Sequence, residues 1–311
     1  MTQSRPAAWT ILNLLRWTTG YFQDKGVAEP RASAEVLLAH VLGITRLDLY
    51  LRHDQPLSPE ELAHFKELII RRRRGEPVAY LTGHKEFWSL DFLVTPQVLI
   101  PRPETEVLVE AAVKLCGGGE KGPKAPLPSP RPLSPTPPWG LELGVGSGAV
   151  VVSLARELPE FLWVAVDLSG AALRVAQSNA RRHGVAERIF FLQGDLLSML
   201  SPGPHFTLLV ANLPYVATTE WQELPPDIRD YEPPEALLAG PDGLALLRPL
   251  TQEAHRYLKP GAGLALEVGH TQAKTVLSML ADTQTYENLS IIKDYSGLER
   301  VVLAQKQKLL S

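Results

Sequence analysis

"LELGVGSGAVVVSLA", residues 141–155, decides how the rest of the chain is read. A short apolar run breaks on Gly144, Gly146 and Gly148 and then takes up helical periodicity, so the glycines occupy a strand-to-helix turn together with Val145 and Ser147. Glycine lets such a turn bend tightly and approach a ligand, and the start of the helix adds partial positive charge. Around this turn, strands are expected near 139–143, 162–167, 188–193, 206–211 and 263–268, with helices near 149–158, 170–183, 243–258 and 271–280. The tail "LSIIKDYSGLERVVLAQ" adds two strands joined by a turn at Ser296 and Gly297. The alternation predicts an α/β fold: a parallel sheet covered on both faces, with its ligand at the carboxyl ends of the strands.

Up to about residue 85 the period is helical. The clearest helix starts at "SPEELAHF", with Ser58 as N-cap, Pro59 at the first helical position, Glu61 closing a capping box, and Leu62, Phe65 and Ile69 on one face. Residues 8–21 and 32–42 also read as amphipathic helices. "EFWSLDFLVTPQVLI", residues 86–100, reads as a β-hairpin, and "PRPETEVLVEAAVKLC" starts a helix behind two prolines. Residues 117–138 hold eight prolines and four glycines in 22 positions, which cannot bury a core and read as an extended loop inserted into the α/β region. The expected division is a helical domain at 1–85, a hairpin connector at 86–100 and an α/β domain at 101–311.

Composition narrows the functional classes. The chain has 311 residues, 45% of them hydrophobic, and 31 Lys plus Arg against 34 Asp plus Glu, so no overall positive field draws it to nucleic acid or anionic lipid. Cys116 is the only cysteine, which excludes an internal disulfide and a cysteine-based zinc cluster and favours a reducing compartment. The eight histidines include no closely spaced metal-binding pair, so no metal is expected, and Ser147 lies between glycines without forming GxSxG. The first residues lack the pattern of a secretory signal, and no run approaches the ~18 apolar residues of a membrane span. A cytoplasmic, monomeric protein is expected.

Asp167 ends the second strand of the α/β region, 19 residues beyond Gly148, where a carboxylate can accept both hydroxyls of a ribose. A nucleoside-containing cofactor follows. The glycine spacing alone leaves a dinucleotide possible, since Ala149 is tolerated in that fingerprint. Glu142 suits a cationic aminoacyl group better than a pyrophosphate and favours S-adenosylmethionine, with S-adenosylhomocysteine as product. Asp195 and Leu196, after the third strand, stand where an adenine would lie; a plain turn is the alternative.

"LLVANLPYVA", residues 208–217, places Asn212 at the end of the fourth strand, at the sheet edge that carries the glycine turn. Its side-chain oxygen and the backbone carbonyl of Leu213 can accept both hydrogens of a planar NH2 group. Pro214 fixes the chain direction and Tyr215 offers a flat face or a hydroxyl. This socket implies methyl transfer to nitrogen, with Asn212, Pro214 and Tyr215 as catalytic residues and Asn212 to Tyr215 holding the substrate; a loop turn without chemistry is the alternative.

These residues resemble the protein-(glutamine-N5) methyltransferases of the HemK/PrmC type, which modify class 1 peptide chain release factors. The resemblance covers nearly the whole chain outside the proline-rich loop. It rests on "GEPVAYLTGHKEFWSLDFLVTPQVLIPRPETEVLVE", "LELGVGSGAV", "AVDLS", "GDLL", "ANLPY", "YEPPEALLAGPDGL", "LEVG" and "GLERVV", of which PRPETE is the most family-specific. It implies a class I methyltransferase with a seven-stranded Rossmann-like sheet, and an N-terminal helical domain that engages the release factor. It also implies that Gly144 to Gly148, Asp167, Leu196 and Asn212 line the cofactor, and that Asn212 to Tyr215 hold the glutamine. Leu213 stands where the family usually has proline, which keeps the carbonyl and loses rigidity, and Glu142 replaces the more usual Asp.

"NLPY" also resembles the motif of ribosomal RNA adenine dimethyltransferases, so adenine-N6 methylation of RNA or DNA is the rival, with "RRRR" at 71–74 as a phosphate contact. A solvated helix end is the preferred reading of that run. In those dimethyltransferases the extra helical domain follows the catalytic one, whereas here it precedes it. A non-catalytic cofactor-binding protein is the third reading. Glu104 and Glu106 of PRPETE either face the active site or serve a first helical turn.

Overall fold

A computed structural model of the chain describes residues 9–117 and 136–308; most of the proline- and glycine-rich segment, from 118 to 135, and the expected helix start at residue 8 lie outside the described residues. The chain divides into two units, one made of residues up to Gly83 together with Pro225–Tyr231, the other of His84–Leu224 and residues from Glu232 onward.

The first unit holds α1 (Ile11–Asp24), α2 (Pro30–Leu42), α3 (Arg46–Leu51), α4 (Pro59–Arg73) and α5 (Val78–Thr82), with α9 (Pro226–Arg229) from its second stretch. Ile11, Phe22, Leu37, Leu38, Leu49 and Phe65 form its core. The capping box of α4 is present: Glu61 N–H donates to Ser58 Oγ at 3.2 Å and Ser58 N–H to the Glu61 carboxylate at 2.7 Å. The arginine run is only partly a solvated helix end. Helical spacing places Arg72 on the face of Phe65, Leu68 and Ile69, where it is buried and donates to the carbonyls of Ala28 and Glu76 at 3.2 and 3.1 Å, while Arg71 pairs with Glu76. Tyr231 Oη donates to the Arg74 carbonyl at 2.9 Å, which ties the second stretch of this unit to its first.

The second unit opens with a tight hairpin, β1 (His84–Phe87) and β2 (Leu90–Leu93), turned by Trp88 and Ser89 at φ 53° and 56°. Strand structure stops at Leu93 rather than continuing to residue 100, because the chain turns at Thr95–Val98 around Pro96, which has no N–H to give a ladder. Phe87, Trp88 and Phe92 pack into the core of the sheet's covering helices, so the hairpin belongs to this unit. Buried Asn179 anchors it. Its amide exchanges hydrogen bonds with Leu93 N–H and C=O at 2.8 and 2.9 Å and donates to the Ser147 carbonyl at 2.8 Å, joining hairpin and glycine turn.

Next come α6 (Glu106–Leu115), β3 (Trp139–Leu143), α7 (Ala149–Glu157), β4 (Leu162–Asp167), α8 (Gly170–Arg182), β5 (Ile189–Gln193), β6 (Phe206–Asn212), α10 (Leu247–Glu253), β7 (Leu258–Glu267), α11 (Ala273–Asp282), β8 (Tyr286–Lys293) and β9 (Glu299–Lys306). The helix expected over 243–258 is shorter, continuing only as a 3-10 turn at Ala254–Arg256, and β7 starts at Leu258 rather than 263. The sheet order is β5-β4-β3-β6-β7-β9-β8; β3 to β7 run parallel, and β9 is antiparallel to both of its neighbours. Strand residues alternate between two cores: Trp163, Ala165, Leu208 and Val210 on the face of α6 to α8, and Val164, Val166, Leu209 and Ala211 on the face of α10 and α11. Between β3 and β6 the strand order reverses direction, and a crevice opens there at the carboxyl ends.

Candidate functional site

A cavity of about 510 Å³ occupies that crevice, within the second unit. Of the residues singled out from the sequence, it brings together Glu142, Gly144, Val145, Gly146, Ser147, Asp167, Asp195, Leu196, Asn212, Leu213 and Pro214. Gly148 and Tyr215 are not among its lining residues.

The glycine turn is shaped by two close approaches. Gly144 has φ 76°, and a Cβ there would stand 2.9 Å from Leu213 Cδ2 and 3.3 Å from the Asn212 carbonyl oxygen, so the Asn212–Leu213 backbone lies directly on the turn. Gly148, at φ 81°, caps α7, and its missing Cβ makes room for Ala176 of α8 at 3.0 Å; its part is helix packing.

Asp167 closes the turn from β4. Its two carboxylate oxygens accept the N–H groups of Gly146 and Ser169, each at 2.8 Å. Burial raises its pKa against those two bonds. Each oxygen keeps a lone pair for a hydroxyl donor. Gly194 N–H donates to the Asp167 carbonyl at 3.0 Å and leads into Asp195 and Leu196. Leu196 sits at φ 46°, an uncommon conformation for a branched residue, and lines the cavity.

Glu142 lies on β3, 1% exposed, on the α7 face, and accepts the Val151 N–H. Its Oε2 is buried with no hydrogen-bond partner. Burial, helped by the nearby Asp167, holds its pKa well above the usual carboxylate range. A buried acid with a free acceptor in a cavity wall is suited to a cationic donor, which would supply the charge and the hydrogen bond it lacks.

Asn212 ends β6, in register with Glu267 on β7. Its Nδ2 donates to Thr105 Oγ1 at 3.1 Å. Thr105 belongs to the turn Pro103–Thr105 that precedes α6, and it also lines the cavity. That bond engages the nitrogen limb of the amide and leaves the oxygen limb free to accept. Glu267 is 1% exposed, with Thr105 and Asn212 beside it and its Oε2 without a hydrogen-bond partner; burial pushes its pKa up to about 7 against those neighbours and the charge of Arg300. Tyr215 is half-buried outside the cavity wall; its carbonyl accepts Gln272 Nε2 at 2.9 Å, and burial, with Glu267 nearby, pushes its hydroxyl up to about 12.

Thr105 and Glu267 escape the sequence reading because neither has a distinctive neighbourhood: "PETE" draws attention to its acids, and "LEVG" reads as a strand end. Of the PRPETE acids, Glu106 accepts the Trp88 N–H at 2.8 Å and so serves the hairpin, and neither Glu104 nor Glu106 lines the cavity. Arg102 does line it and pairs at 2.5 Å with Glu232, whose other oxygen takes the Ile100 N–H at 3.1 Å. That buried acid joins PRPETE to the "YEPPEA" segment, whose Pro233, Glu235 and Ala236 close the wall. Among the described residues no group of three or more His, Cys, Asp and Glu could hold a metal ion, and no helix is long and apolar enough to cross a membrane.

The seven-stranded sheet with its single antiparallel strand, the glycine turn, and a cavity at the reversal of strand order define a class I methyltransferase. Residues 13–83 match the family described as the PrmC N-terminal domain, and residues 141–231 match a methyltransferase domain family. A protein of Geobacter sulfurreducens named release factor glutamine methyltransferase is 41% identical over 298 residues, covering 96% of this chain and 97% of its own length. Proteins of the same name from Moorella thermoacetica (43% identical, 91% and 94% covered) and Rhodopirellula baltica (38%, 97% and 98%) are similar along the same extent. A solved methyltransferase of Pyrococcus furiosus aligns at TM-score 0.48 and 17% identity over 72% of this chain and 92% of its own. The chain belongs to the release factor glutamine methyltransferase family.

Proposed function

We propose that this chain transfers the methyl group of S-adenosylmethionine to the side-chain amide nitrogen of a glutamine in a class 1 peptide chain release factor. The observation that carries the reading is the Asn212 amide, its nitrogen limb engaged by Thr105, in the wall of the cavity that the glycine turn and Asp167 share.

Bound S-adenosylmethionine supplies an electrophilic sulfonium methyl group. The chain's residues fit that cofactor: Asp167 would accept the ribose hydroxyls, Asp195 and Leu196 would hold and cover the adenine, and the free Oε2 of Glu142 would accept the ammonium of the aminoacyl part. Asn212 Oδ1 and the Leu213 carbonyl would accept the two N–H bonds of the glutamine. An amide nitrogen is a poor nucleophile, so orientation is the main resource, and oriented reactants save ~7 to 11 kcal/mol. Two acceptors on the N–H groups also draw electron density onto the nitrogen. The proton of the methylated amide, very acidic once the nitrogen carries a fourth bond, leaves to solvent.

Two binding predictions follow from the wall. Asp167→Asn keeps the shape and one acceptor but loses the charge, and the cofactor Kd is expected to rise by about 10- to 100-fold, read by calorimetry; an unchanged Kd removes the ribose role. Burial raises the Glu142 pKa well above the usual carboxylate range, and an ammonium arriving beside it lowers it again by favouring the ionised form, so cofactor binding should release a proton. Titrations in two buffers of different ionisation enthalpy should therefore show net proton release, abolished in Glu142→Gln. Release that persists in the variant assigns the proton elsewhere.

The whole reading is tested by labelled methyl transfer from S-adenosylmethionine to a purified class 1 release factor, with ribosomal RNA and DNA in parallel. Label on the protein is the expected result, and label on nucleic acid alone overturns it.

A further inference from the structure

An amide presents oxygen and nitrogen limbs of nearly the same shape, so a socket for an NH2 group works only if something chooses which limb of Asn212 faces the substrate. Glu267 stands behind it. It pairs with Asn212 across the β6–β7 register, is 1% exposed with its Oε2 buried and without a hydrogen-bond partner, has Asn212 and Thr105 beside it, and is not a residue of the cavity wall. Thr105 Oγ1 accepts from Asn212 Nδ2 at 3.1 Å, which leaves its own proton for the carboxylate. An ionised carboxylate can only accept. With the Thr105 proton given to Glu267, the hydrogen bonds would run from Asn212 through Thr105 to the carboxylate, and only one orientation of the Asn212 amide fits that order.

We infer that Glu267 is a positioning residue that works through Thr105 to lock the Asn212 amide with its oxygen toward the substrate. The preference of the site for nitrogen is then set by a buried acid that never touches the substrate. The inference rests on the glutamine-transfer reading above. Protonation reverses the logic: a neutral Glu267 gains a donor that can satisfy Oδ1 of a turned amide, which presents NH2 to NH2 across the cavity. The charged and titratable groups around Glu267 are Arg300 on β9, itself paired with Asp294 at 3.2 Å, Glu104 ahead of α6, and Tyr215 after β6. Arg300 favours the ionised form, and Glu104 opposes it.

The test uses the full chain. With the side-chain amides labelled with nitrogen-15, and the Asn212 pair assigned by its loss in Asn212→Ala, the Asn212 signals should titrate with a midpoint near 7 in the wild type and not in Glu267→Gln. In parallel, kcat on a purified release factor should fall as pH drops through that midpoint. Glu267→Gln should give a flat profile about tenfold below the wild-type plateau, with the cofactor Kd within about threefold. Glu267→Asp should recover part of the rate and the slope. Asn212 signals that ignore pH, or that titrate alike in Glu267→Gln, overturn the inference, as does a Glu267→Gln enzyme with wild-type rate and slope. Should Glu267→Gln fail to fold, Thr105→Val removes the relay while keeping the carboxylate, and the Asn212 signals should titrate with reduced amplitude; a wild-type amplitude overturns the inference. A wild-type chain that leaves the release factor unmethylated defeats the proposed function, while the amide signals still decide the lock.

Discussion

Asn212→Ala is expected to lower kcat for glutamine methylation by about 10²- to 10³-fold, the usual cost of removing one oriented group that stabilises the reacting centre. In the proposed socket the side chain is one of two acceptors, and alanine leaves the other, the Leu213 carbonyl, in place. Orientation about the amide nitrogen is lost with it, since a single hydrogen bond leaves the planar group free to swing. Cofactor affinity should change by less than about tenfold, because Asp167, Asp195 and Glu142 are untouched. The variant should remain folded: Asn212 lies at the end of β6, and its neighbour Ala211 already packs a small side chain into the core. Thr105 and Glu267 lose a partner, a cost of about 1 to 3 kcal/mol in stability. Steady-state kinetics with calorimetry for the cofactor reads both quantities. A variant with wild-type turnover would show that the socket is elsewhere.

The largest effect should come from the substrate. Replacing the target glutamine of the release factor by glutamate, nearly the same shape, is expected to reduce transfer by about 10⁴-fold, since sites built to pair N–H groups reject analogues that lack them by ~10⁴ to 10⁵. A carboxylate would set oxygen against Asn212 Oδ1 and the Leu213 carbonyl, with no donor to satisfy either. Labelled transfer to the two substrates at equal concentration measures the ratio. Methyl ester formed on the glutamate at a comparable rate would contradict a wall of acceptors.

What the sequence made legible depends on whether the signal is local. Strand and helix alternation, the glycine turn, Asp167 and the capping box of α4 are local patterns fixed by backbone sterics and period, and the structure places them where the spacing predicts. Glu142, Asp195, Leu196 and Asn212 converge on one cavity because parallel strands put successive carboxyl ends along one edge. The rest depends on pairing between distant segments. Thr105 meets Asn212 across more than a hundred positions, Glu267 meets it only through the β6–β7 register, and Asn179 joins the hairpin to the glycine turn. No spacing rule exposes such contacts. Arg72 shows the converse: a run of four arginines suggests an exposed end, yet helical period turns one of them inward. The motif alone suggests that Tyr215 offers a flat face or a hydroxyl to the substrate, whereas the structure gives its carbonyl a partner in Gln272 and Tyr215 is not a residue of the cavity wall.

The most direct measurement is a crystal structure of the full chain with S-adenosylhomocysteine and a peptide carrying the target glutamine. The account predicts the glutamine nitrogen about 3 Å from both Asn212 Oδ1 and the Leu213 carbonyl oxygen, with the sulfur of the product on its far side. A glutamine whose nitrogen meets neither oxygen, or an Asn212 that presents its Nδ2 to the cavity, would contradict it.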